Sequence, residues 1–389
     1  MTEPTTSPLP SDPDDPAIVD DPYDFYRMLR ERHPVHDTGS EFLVSCFDDI
    51  QTVVLDWQRY SSQTTDDNHD HFASMDPPRH DVHRASVARI FTPRSIAALE
   101  PEIRRATDDL LAPLVERGTF DLAAEFASVL PSQVITNIVG VPEELREEYR
   151  QKAIAIATTH GAASLYQAMT ALQDVTWEAL EGDHHVPEGG VLDMLLQSGA
   201  GDRDDGDSDG DDAPLSRAEI VGLCTNLVLA GTDTASNLIT NSVMLLDRHP
   251  DVREALRDDA ELIPVAIEES LRFEAPVQWL RRRTTEPVEL HGVELPRGAL
   301  VRLYWASANR DESVFERADQ FDITREQRRH LAFGHGLHFC IGAALARLEA
   351  RVALEALLAL PTIRIDPTNT ARIPSSMFRG YEHLAVRTA

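Results

Sequence analysis

The sequence lacks the residues that several classes of protein need. Its 389 residues include only three cysteines, Cys46, Cys224 and Cys340, too few and too scattered for a disulfide framework. Lys152 is the only lysine, and 66 acidic against 36 basic residues give a net charge of −30. No apolar run reaches the roughly 18 residues of a membrane-spanning helix, and residues 1–16 have no signal-peptide pattern. These absences predict a soluble, cytoplasmic protein that binds neither nucleic acid nor a membrane.

Hydrophobic residues make up 42% of the chain, and most of them are spaced as in helices. Residues 98–182 follow a period near 3.6, and residues 214–250 give one long helical pattern. Strand-like alternation is confined to short stretches, without a strand–helix–strand rhythm or a repeat. The sequence therefore predicts a mainly α fold with many packed helices, a long central helix and small β-sheets. Residues 1–18 are expected to be a disordered N-terminal arm before a single domain at 19–389.

One low-complexity segment, residues 201–214, alternates aspartate with glycine. It resembles a calcium-binding loop, but the glutamate that closes such a loop and the flanking helices are missing. A solvated loop between helices is the favoured interpretation.

The stretch FGHGLHFCIG, residues 333–342, combines three glycines, two histidines and one cysteine. A zinc site needs about four ligands, and Cys340 with His335 and His338 supplies at most three. Cys340 precedes a strongly helical run, whose N-terminus would favour thiolate over thiol, and the glycines let a flat ligand approach. The pattern favours a thiolate that binds iron in a planar cofactor. A glycine turn with an incidental cysteine, or a nucleophilic cysteine, stays open.

The long central helix is interrupted by small and polar residues in LVLAGTDTASNLI. Ala230 and Gly231 would form a notch, and Asp233 and Thr234 would place an acid and an alcohol beside it. Glycine and hydroxyl side chains weaken or bend a helix interior. The pattern predicts a notch with a path for protons, and the alternative is a kinked core helix.

Two further patterns place a pair of residues on one helix face. Glu269 and Arg272 are at i, i+3, which by itself is typical of a surface ion pair of small value. His80 and Arg84 are at i, i+4 after a double proline, and both could reach an anionic group of a shared ligand. A solvated basic face is the alternative for the second pair.

In this order, these motifs resemble those of the soluble bacterial cytochrome P450 enzymes, which are heme-thiolate monooxygenases. FGHGLHFCIG fits the family pattern FGxGxHxCxG at every fixed position, and AGTDT resembles the oxygen-activation motif of the long helix. ESLR resembles the ExxR pair, DPPRHDVHR the heme-facing helix, and NRDESVF and FDITR the meander before the cysteine loop. The resemblance runs from about residue 20 to the C-terminus and implies the cytochrome P450 fold with heme b (iron protoporphyrin IX).

The resemblance implies heme-binding roles for individual residues. Cys340 would be the axial thiolate on the iron, and Phe333 would shield the sulfur. Gly334 and Gly336, with Gly342, would permit the tight loop. The residues that resemble those neutralising the two heme propionates are His80, Arg84, Arg282 and His338, with a one-residue slip open within the RRR at 281–283.

The resemblance also implies residues for oxygen chemistry, loop support and substrate contact. Asp233 and Thr234 would deliver protons to bound O₂, while Ala230 and Gly231 would open the groove beside it. Glu269 and Arg272 would hold the meander, although Gln320 stands where the family usually supplies a third arginine or histidine. Expected contacts to an apolar substrate are Leu229, Val277, Trp279, Leu280 and Phe378, with the polar stretch DDNHDH in loop 62–75 as an alternative anchor.

The expected function is O₂-dependent hydroxylation or oxidative dealkylation of an apolar small molecule by a monomer. Electrons would come from a ferredoxin and its reductase or an equivalent flavoprotein, docked near Arg328, Arg329, Arg347 and Arg351. A peroxide-driven or cross-linking oxidase is the alternative enzyme. A heme sensor without turnover is a third hypothesis, and it would not require Asp233 and Thr234.

Overall fold

The computed structural model describes residues 12–64, 72–157, 162–200, 213–326 and 328–388. Helices dominate these residues, as the sequence predicts. The α-helices are α1 (Pro16–Asp20), α2 (Tyr23–Arg32), α3 (Phe47–Leu55), α4 (Arg79–Ala88), α5 (Pro93–Ala97), α6 (Glu100–Arg117), α7 (Val129–Val139), α8 (Glu143–Ala157), α9 (Ala162–Glu181), α10 (Val191–Gln197), α11 (Arg217–Arg248), α12 (Pro250–Asp258), α13 (Ile263–Phe273), α14 (Trp305–Ala308) and α15 (Ala343–Ala359).

The strands form small sheets at the edges of this helical body. They are β1 (Val35–Asp37), β2 (Phe42–Val44), β3 (Tyr60–Ser61), β4 (Thr119–Asp121), β5 (Leu280–Thr284), β6 (Val288–Leu290), β7 (Val293–Leu295), β8 (Leu300–Leu303), β9 (Ile363–Arg372) and β10 (Tyr381–Thr388). A five-stranded sheet has the order β1-β2-β8-β5-β3, a three-stranded sheet the order β4-β10-β9, and β6 pairs with β7. Only the β2–β8 pair of these sheets is parallel. The prediction of a mainly α fold with small sheets is confirmed.

The long helix α11 organises the core. Its 32 residues span about 48 Å at 1.5 Å per residue. A capping box starts it: the Ser216 hydroxyl accepts from the Glu219 N–H at 3.3 Å, and the Glu219 carboxylate accepts from the Ser216 N–H at 2.9 Å. Helices α7, α8, α9, α13 and α15 pack around it. A polar residue within α11 therefore has to face either a packed helix or an internal space.

The N-terminal segment differs from the predicted arm. Residues 12–18 are within the described part of the chain, and α1 begins at Pro16. The Asp14 carboxylate accepts from the buried Arg302 side chain at 2.7 Å, which holds the segment against the five-stranded sheet. Residues 1–11 lie outside the described residues. The prediction of a disordered arm was wrong for residues 12–18, because the Asp14 carboxylate pairs with the buried Arg302 side chain of β8.

Two predicted loops fall mainly outside the described residues. Residues 201–212 of the Asp-Gly segment and residues 65–71 of the polar loop are among them, so their predicted roles remain predictions. None of the helices that the structure describes is long and apolar enough to cross a membrane.

Candidate active site

The cysteine loop is a tight turn just before α15. The Cys340 N–H donates to the Phe333 carbonyl at 2.9 Å and closes the turn. Gly334 and Gly336 both have φ of 69°, in the left-handed region that favours glycine. A side chain at position 336 would also meet the Val54 carbonyl at 3.2 Å. Both glycines are therefore required by the backbone path that presents Cys340.

Cys340 is half-buried, and desolvation raises the pKa of its thiol. A hydrogen bond from the Gly342 N–H and the charges of Arg84 and Arg347 oppose that shift. The expected stabilisation of thiolate by the helix N-terminus is outweighed by this desolvation, since α15 begins only at Ala343. A coordinated metal ion would reverse the balance, because it deprotonates a thiol that binds it. The loop thus offers one half-buried sulfur to a metal that brings its other ligands.

Four side chains that carry or can accept positive charge converge beside this loop. We call His80, Arg84, Arg282 and His338 the cation cluster. The rings of His80 and His338 lie 4.4 Å apart between centroids. Arg84 Nη2 donates to the Phe339 carbonyl within the cysteine loop at 2.9 Å. Burial, followed by the charges of Arg282, His80 and Arg84, lowers the pKa of His338 to about 3.

Among the described residues, the two guanidiniums of the cation cluster have no carboxylate within ion-pair distance, whereas His80 Nδ1 lies 3.0 Å from the exposed Asp81 carboxylate. Arg282 is 6% exposed, and burial lowers its pKa to about 10, with Asp76 opposing that shift. Asp76 is itself held by the Ser61 hydroxyl and by the Ser62 N–H at 2.9 Å. The buried His80 Nε2 has no hydrogen-bond partner. Burying positive charge without an anion is costly, so the cluster fits a ligand with carboxylates.

The structure identifies which of the three consecutive arginines faces this cluster. Alternate side chains of a strand point to opposite faces, so Arg281 and Arg283 share one face of β5 and Arg282 the other. Arg281 Nε binds the Glu41 carboxylate at 2.8 Å on its own face. Arg282 influences the pKa of His338 on the opposite face. The one-residue slip left open by the sequence is therefore not needed.

An accessible stretch interrupts the buried interior of α11. Residues 220–228 and 235–246 are buried, whereas Ala230 is exposed and Leu229, Asp233 and Thr234 are half-buried. The Thr234 hydroxyl donates to the Ala230 carbonyl one turn earlier at 2.7 Å. This stretch lies where the sequence predicted a notch, and the notch itself stays a prediction.

Gly231 plays a narrower part in this notch than the sequence predicted. A side chain at position 231 would point at Ile135 of α7, at an ordinary contact distance of 3.4 Å. The space left by the absence of a side chain on Gly231 therefore lies between α11 and α7. Only the backbone of Gly231 can border a groove beside Ala230.

Asp233 is the titratable group of the accessible stretch. Burial raises the pKa of its carboxyl to about 7, and its Oδ1 has no hydrogen-bond partner among the described residues. A carboxyl that titrates near neutral pH can both hold and release a proton. Asp233 therefore combines the burial and the pKa of a proton-transfer group.

Glu269 and Arg272 form a buried ion pair, unlike the surface pair that their spacing alone suggests. Arg272 Nε and Nη2 bind the Glu269 carboxylate at 2.8 and 2.7 Å, and both side chains are at most 3% exposed. Arg272 also donates to the carbonyls of Asn309, Ala318 and Gln320 at 2.8–2.9 Å. The pair fixes the segment that leads to the cysteine loop.

Arg325 supplies the cation that Gln320 does not. Its Nε lies 3.4 Å from Glu269 Oε1, and the side chain is 8% exposed. It also donates to the carbonyls of Glu316 and, at 2.9 and 3.0 Å, of Arg317 and Gln320. We call Glu269, Arg272 and Arg325 the meander cluster. The network expected to be weakened by Gln320 is reorganised around a residue that the sequence analysis did not single out.

Comparison with known proteins agrees with this site. The family model "Cytochrome P450" matches residues 167–377. Cytochrome P450 107B1 of Saccharopolyspora erythraea is 40% identical over 321 residues, 82% of this chain and 77% of that protein. Vitamin D(3) 25-hydroxylase of Pseudonocardia autotrophica is 37% identical over 87% of this chain and 86% of that protein. The structure of CYP109E1 from Bacillus megaterium in complex with corticosterone has a TM-score of 0.84 at 30% identity, covering 96% and 99% of the two chains.

The chain belongs to the cytochrome P450 family. It is therefore an oxidoreductase of the monooxygenase class with a heme-thiolate cofactor. The residues present fit that cofactor: a half-buried sulfur at Cys340, a cation cluster whose two arginines have no acid partner among the described residues, and an accessible stretch in α11. The predictions of family and enzyme class are confirmed.

Trp279 is not placed where a cytochrome P450 substrate contact is expected. It is 8% exposed and packs with Phe25, Tyr26 and Tyr304 in a separate core beneath the five-stranded sheet. The guanidinium of Arg281 lies over its ring, 4.8 Å from Cζ to centroid. Trp279 therefore shares the face of Arg281, opposite to Arg282, and the prediction for it was wrong.

The four other expected substrate contacts are half-buried, and their role stays a prediction. The backbones of Val277 and Phe378 form an isolated antiparallel bridge, and Phe378 is half-buried. Leu280 is half-buried on the same face of β5 as Arg282, and Leu229 is half-buried on α11. These four side chains are apolar, so their contribution to a pocket is a hydrophobic wall.

Two of the four arginines expected to attract a redox partner are already neutralised. Arg347 binds Glu268 at 2.6 Å, and Arg351 binds Glu100 at 2.6 Å. Arg328 and Arg329 are exposed; Arg328 Nη2 lies 3.8 Å from the Glu326 carboxylate, and Arg329 lies over the ring of Phe339 in the cysteine loop, 5.6 Å from its centroid. The free positive charge of this face is smaller than the sequence suggested.

Two site residues besides Arg325 were missed by the sequence analysis. The Ser62 hydroxyl lies 2.9 Å from His338 Nε2. The negative charge of Asp76 raises the pKa of Arg282 and so opposes the effect of burial. Asp76 opens the DPPRH motif, which was a usable pattern. Ser62 stands in a polar stretch with no motif of its own.

Proposed function

We propose that the chain inserts one oxygen atom from O₂ into an apolar organic small molecule, by hydroxylation or oxidative dealkylation, with heme b bound through Cys340. The observation that carries this proposal is Asp233 and Thr234 in the accessible stretch of α11. A half-buried acid with one oxygen desolvated and unpartnered lowers stability, and a protein that only carried heme would have no use for it.

Heme iron held by a thiolate supplies the activation of dioxygen when it is bound. The Thr234 hydroxyl donates its hydrogen to the Ala230 carbonyl, so its oxygen keeps lone pairs that can accept a hydrogen bond at the reaction site. Asp233, with a pKa of about 7, takes up and releases the protons that the reaction consumes. The cation cluster would hold the heme propionates by charge-assisted hydrogen bonds.

The proposed substrate is an apolar molecule of roughly steroid size. Leu229, Val277, Leu280 and Phe378 offer hydrophobic contacts, and hydrophobic surface is what most small-molecule pockets use for affinity. A relative bound to corticosterone and a relative named for 25-hydroxylation of vitamin D(3) support this size class. Corticosterone and vitamin D(3) are the first compounds to test.

The electrons would come from a ferredoxin and its reductase or from an equivalent flavoprotein. Cytochrome P450 enzymes normally take electrons from such partners. Arg328 and Arg329 would attract an acidic partner, since opposite charges raise association rates.

The proposal is tested by the absorption spectrum of the reduced protein with CO. We expect the red-shifted band of thiolate ligation, and a band typical of a neutral axial ligand would contradict the role of Cys340. Thr234→Ala should then lower product formed per electron consumed in a reconstituted O₂ system. Unchanged coupling, or equal turnover with hydrogen peroxide alone, would favour the peroxide-driven alternative.

A further inference from the structure

Two buried arginines, Arg302 and Arg379, bind the N-terminal segment. Arg302 is 1% exposed and lies over Trp279, 4.1 Å from Cζ to ring centroid. It contacts Glu41, which also binds Arg281. Asp14 supplies the second carboxylate, with Arg302 Nη1 and Nη2 at 2.7 and 3.1 Å from its oxygens. Without Asp14, two arginines would share one acid.

A second buried arginine binds the end of α1. Arg379 is 6% exposed, and its Nε donates to Glu274 at 2.8 Å. Glu274 also faces Arg372 at 3.4 Å and Arg310 at 4.0 Å, so one carboxylate serves three arginines. Arg379 Nη1 donates to the Asp20 carbonyl at 3.1 Å, one of the last carbonyls of α1. Such carbonyls have no partner within their helix and carry its partial negative charge.

These two contacts connect the N-terminal segment to the loop that carries Phe378. Arg379 follows Phe378 directly, and its carbonyl accepts from Asn241 of α11 at 2.9 Å. Asn241 is seven residues after Thr234, about 10 Å along the helix at 1.5 Å per residue. Phe378 in turn pairs with Val277. A hydrogen bond from the Ser376 side chain to Asp14 joins the segment to this loop at a further point.

We propose that residues 14–20 are a positioning segment for the substrate pocket. They hold Arg379 and Ser376, and through them set the position of Phe378 over the apolar wall that it shares with Val277. Asp14 is thereby a positioning residue for substrate affinity, although it contacts neither the heme-binding residues nor α11. The inference rests on the proposed function, since it takes Phe378 and Val277 as substrate contacts.

The experiment compares two nitrogen ligands of heme iron that differ in size. Imidazole reports on the iron alone, while clotrimazole carries three aromatic rings that must pack against the pocket wall. In full-length protein with heme, Asp14→Asn should raise the Kd of clotrimazole about fivefold, as expected for loss of one charged pair, and leave the Kd of imidazole unchanged. Asp14→Glu should recover most of the affinity.

Two further variants complete the design. Ile18→Ala removes an apolar contact of α1 with the core beneath the sheet and should reproduce the selective loss for clotrimazole. Asp24→Asn makes the same charge change at an exposed acid that pairs with Arg27, and should change neither affinity. Equal weakening of both ligands in Asp14→Asn, or no change in both Asp14→Asn and Ile18→Ala, would overturn the inference. An abnormal CO spectrum in the unaltered protein would instead contradict the proposed function.

Discussion

Two of the buried clusters of charged side chains in the described residues, the meander cluster and the cation cluster, differ in one respect. The meander cluster contains its own counter-charge: Glu269 binds Arg272 bidentately and lies 3.4 Å from Arg325, and the remaining arginine donors bind backbone carbonyls. In the cation cluster only His80 lies beside an acid, the exposed Asp81 at 3.0 Å. Arg84 and Arg282 have no carboxylate within ion-pair distance among the described residues, and Asp76, the acid that acts on Arg282, is itself held by two serines. A satisfied cluster stabilises the fold, whereas an unsatisfied one indicates a missing ligand group.

The largest expected effect comes from breaking the satisfied cluster. Arg272→Met would leave the Glu269 carboxylate buried without its bidentate partner, which typically costs 3–5 kcal/mol, so we expect about 3–5 kcal/mol loss in the free energy of unfolding. Urea unfolding measures it. Arg104→Met is the control, because Arg104 makes similar bonds to Glu100 while its side chain is 42% exposed; it should cost under about 1 kcal/mol. Similar losses in both variants would contradict the distinction.

Asp233 is a single side chain without a hydrogen-bond partner for its Oδ1, and it can be compared with the two clusters. Its contribution to the free energy of unfolding depends on pH. Its pKa is raised from 3.8 to about 7, so the folded state holds a proton that the unfolded state releases above pH 3.8. The resulting stability is present in acid and is lost as pH rises through 7. Asp233→Asn should remove this dependence, so its stability relative to the unaltered protein should grow by about 2 kcal/mol from pH 5 to pH 8. Urea unfolding at the two pH values gives the difference, and no growth would contradict the raised pKa.

The contiguous motifs could be predicted from the sequence, whereas contacts set by tertiary structure could not. Cys340 and the glycines before it form one turn, so their roles could be predicted from ten adjacent residues. Arg325 was missed because its role depends on backbone carbonyls of the meander, whose positions no spacing reveals. The predicted substrate contact of Trp279 was wrong for a reason visible in the sequence. Alternate side chains of a strand point to opposite faces, so if Arg282 faces the heme site, Trp279 faces away from it.

The role of Arg325 gives a smaller effect that can be reversed. Arg325→Leu removes one ion pair with the buried Glu269 and the hydrogen bonds to the carbonyls of the exposed residues Glu316 and Arg317, while the Gln320 carbonyl keeps its bond from Arg272, for an expected loss of about 1–2 kcal/mol. Adding Gln320→Arg to this variant should restore part of the stability, because an arginine from position 320 can reach Glu269. In the unaltered background the same change should give no gain, since Arg325 already serves that carboxylate. Urea unfolding of the four proteins forms a double-mutant cycle, and simple additivity would show that the two positions do not share a role.

The smallest expected change in the free energy of unfolding is a gain rather than a loss. It tests most directly whether the cation cluster, unlike the meander cluster, needs a ligand for its charge balance. Arg282→Met replaces a buried cation that has no acid of its own with an apolar side chain of similar length. Relief of desolvation should leave the heme-free protein as stable or up to about 1 kcal/mol more stable, while heme retention falls because a propionate loses its charged donor.

Arg281→Met is the matched control from the adjacent position, on the opposite face of β5. It breaks the contact with Glu41, so it should lower stability slightly and leave heme retention unchanged. Thermal unfolding of heme-free protein and the fraction of heme kept after gel filtration separate the two variants. If Arg282→Met destabilised the heme-free protein as Arg272→Met does, the cation cluster would be balanced without a ligand, and the distinction between the two clusters would fail.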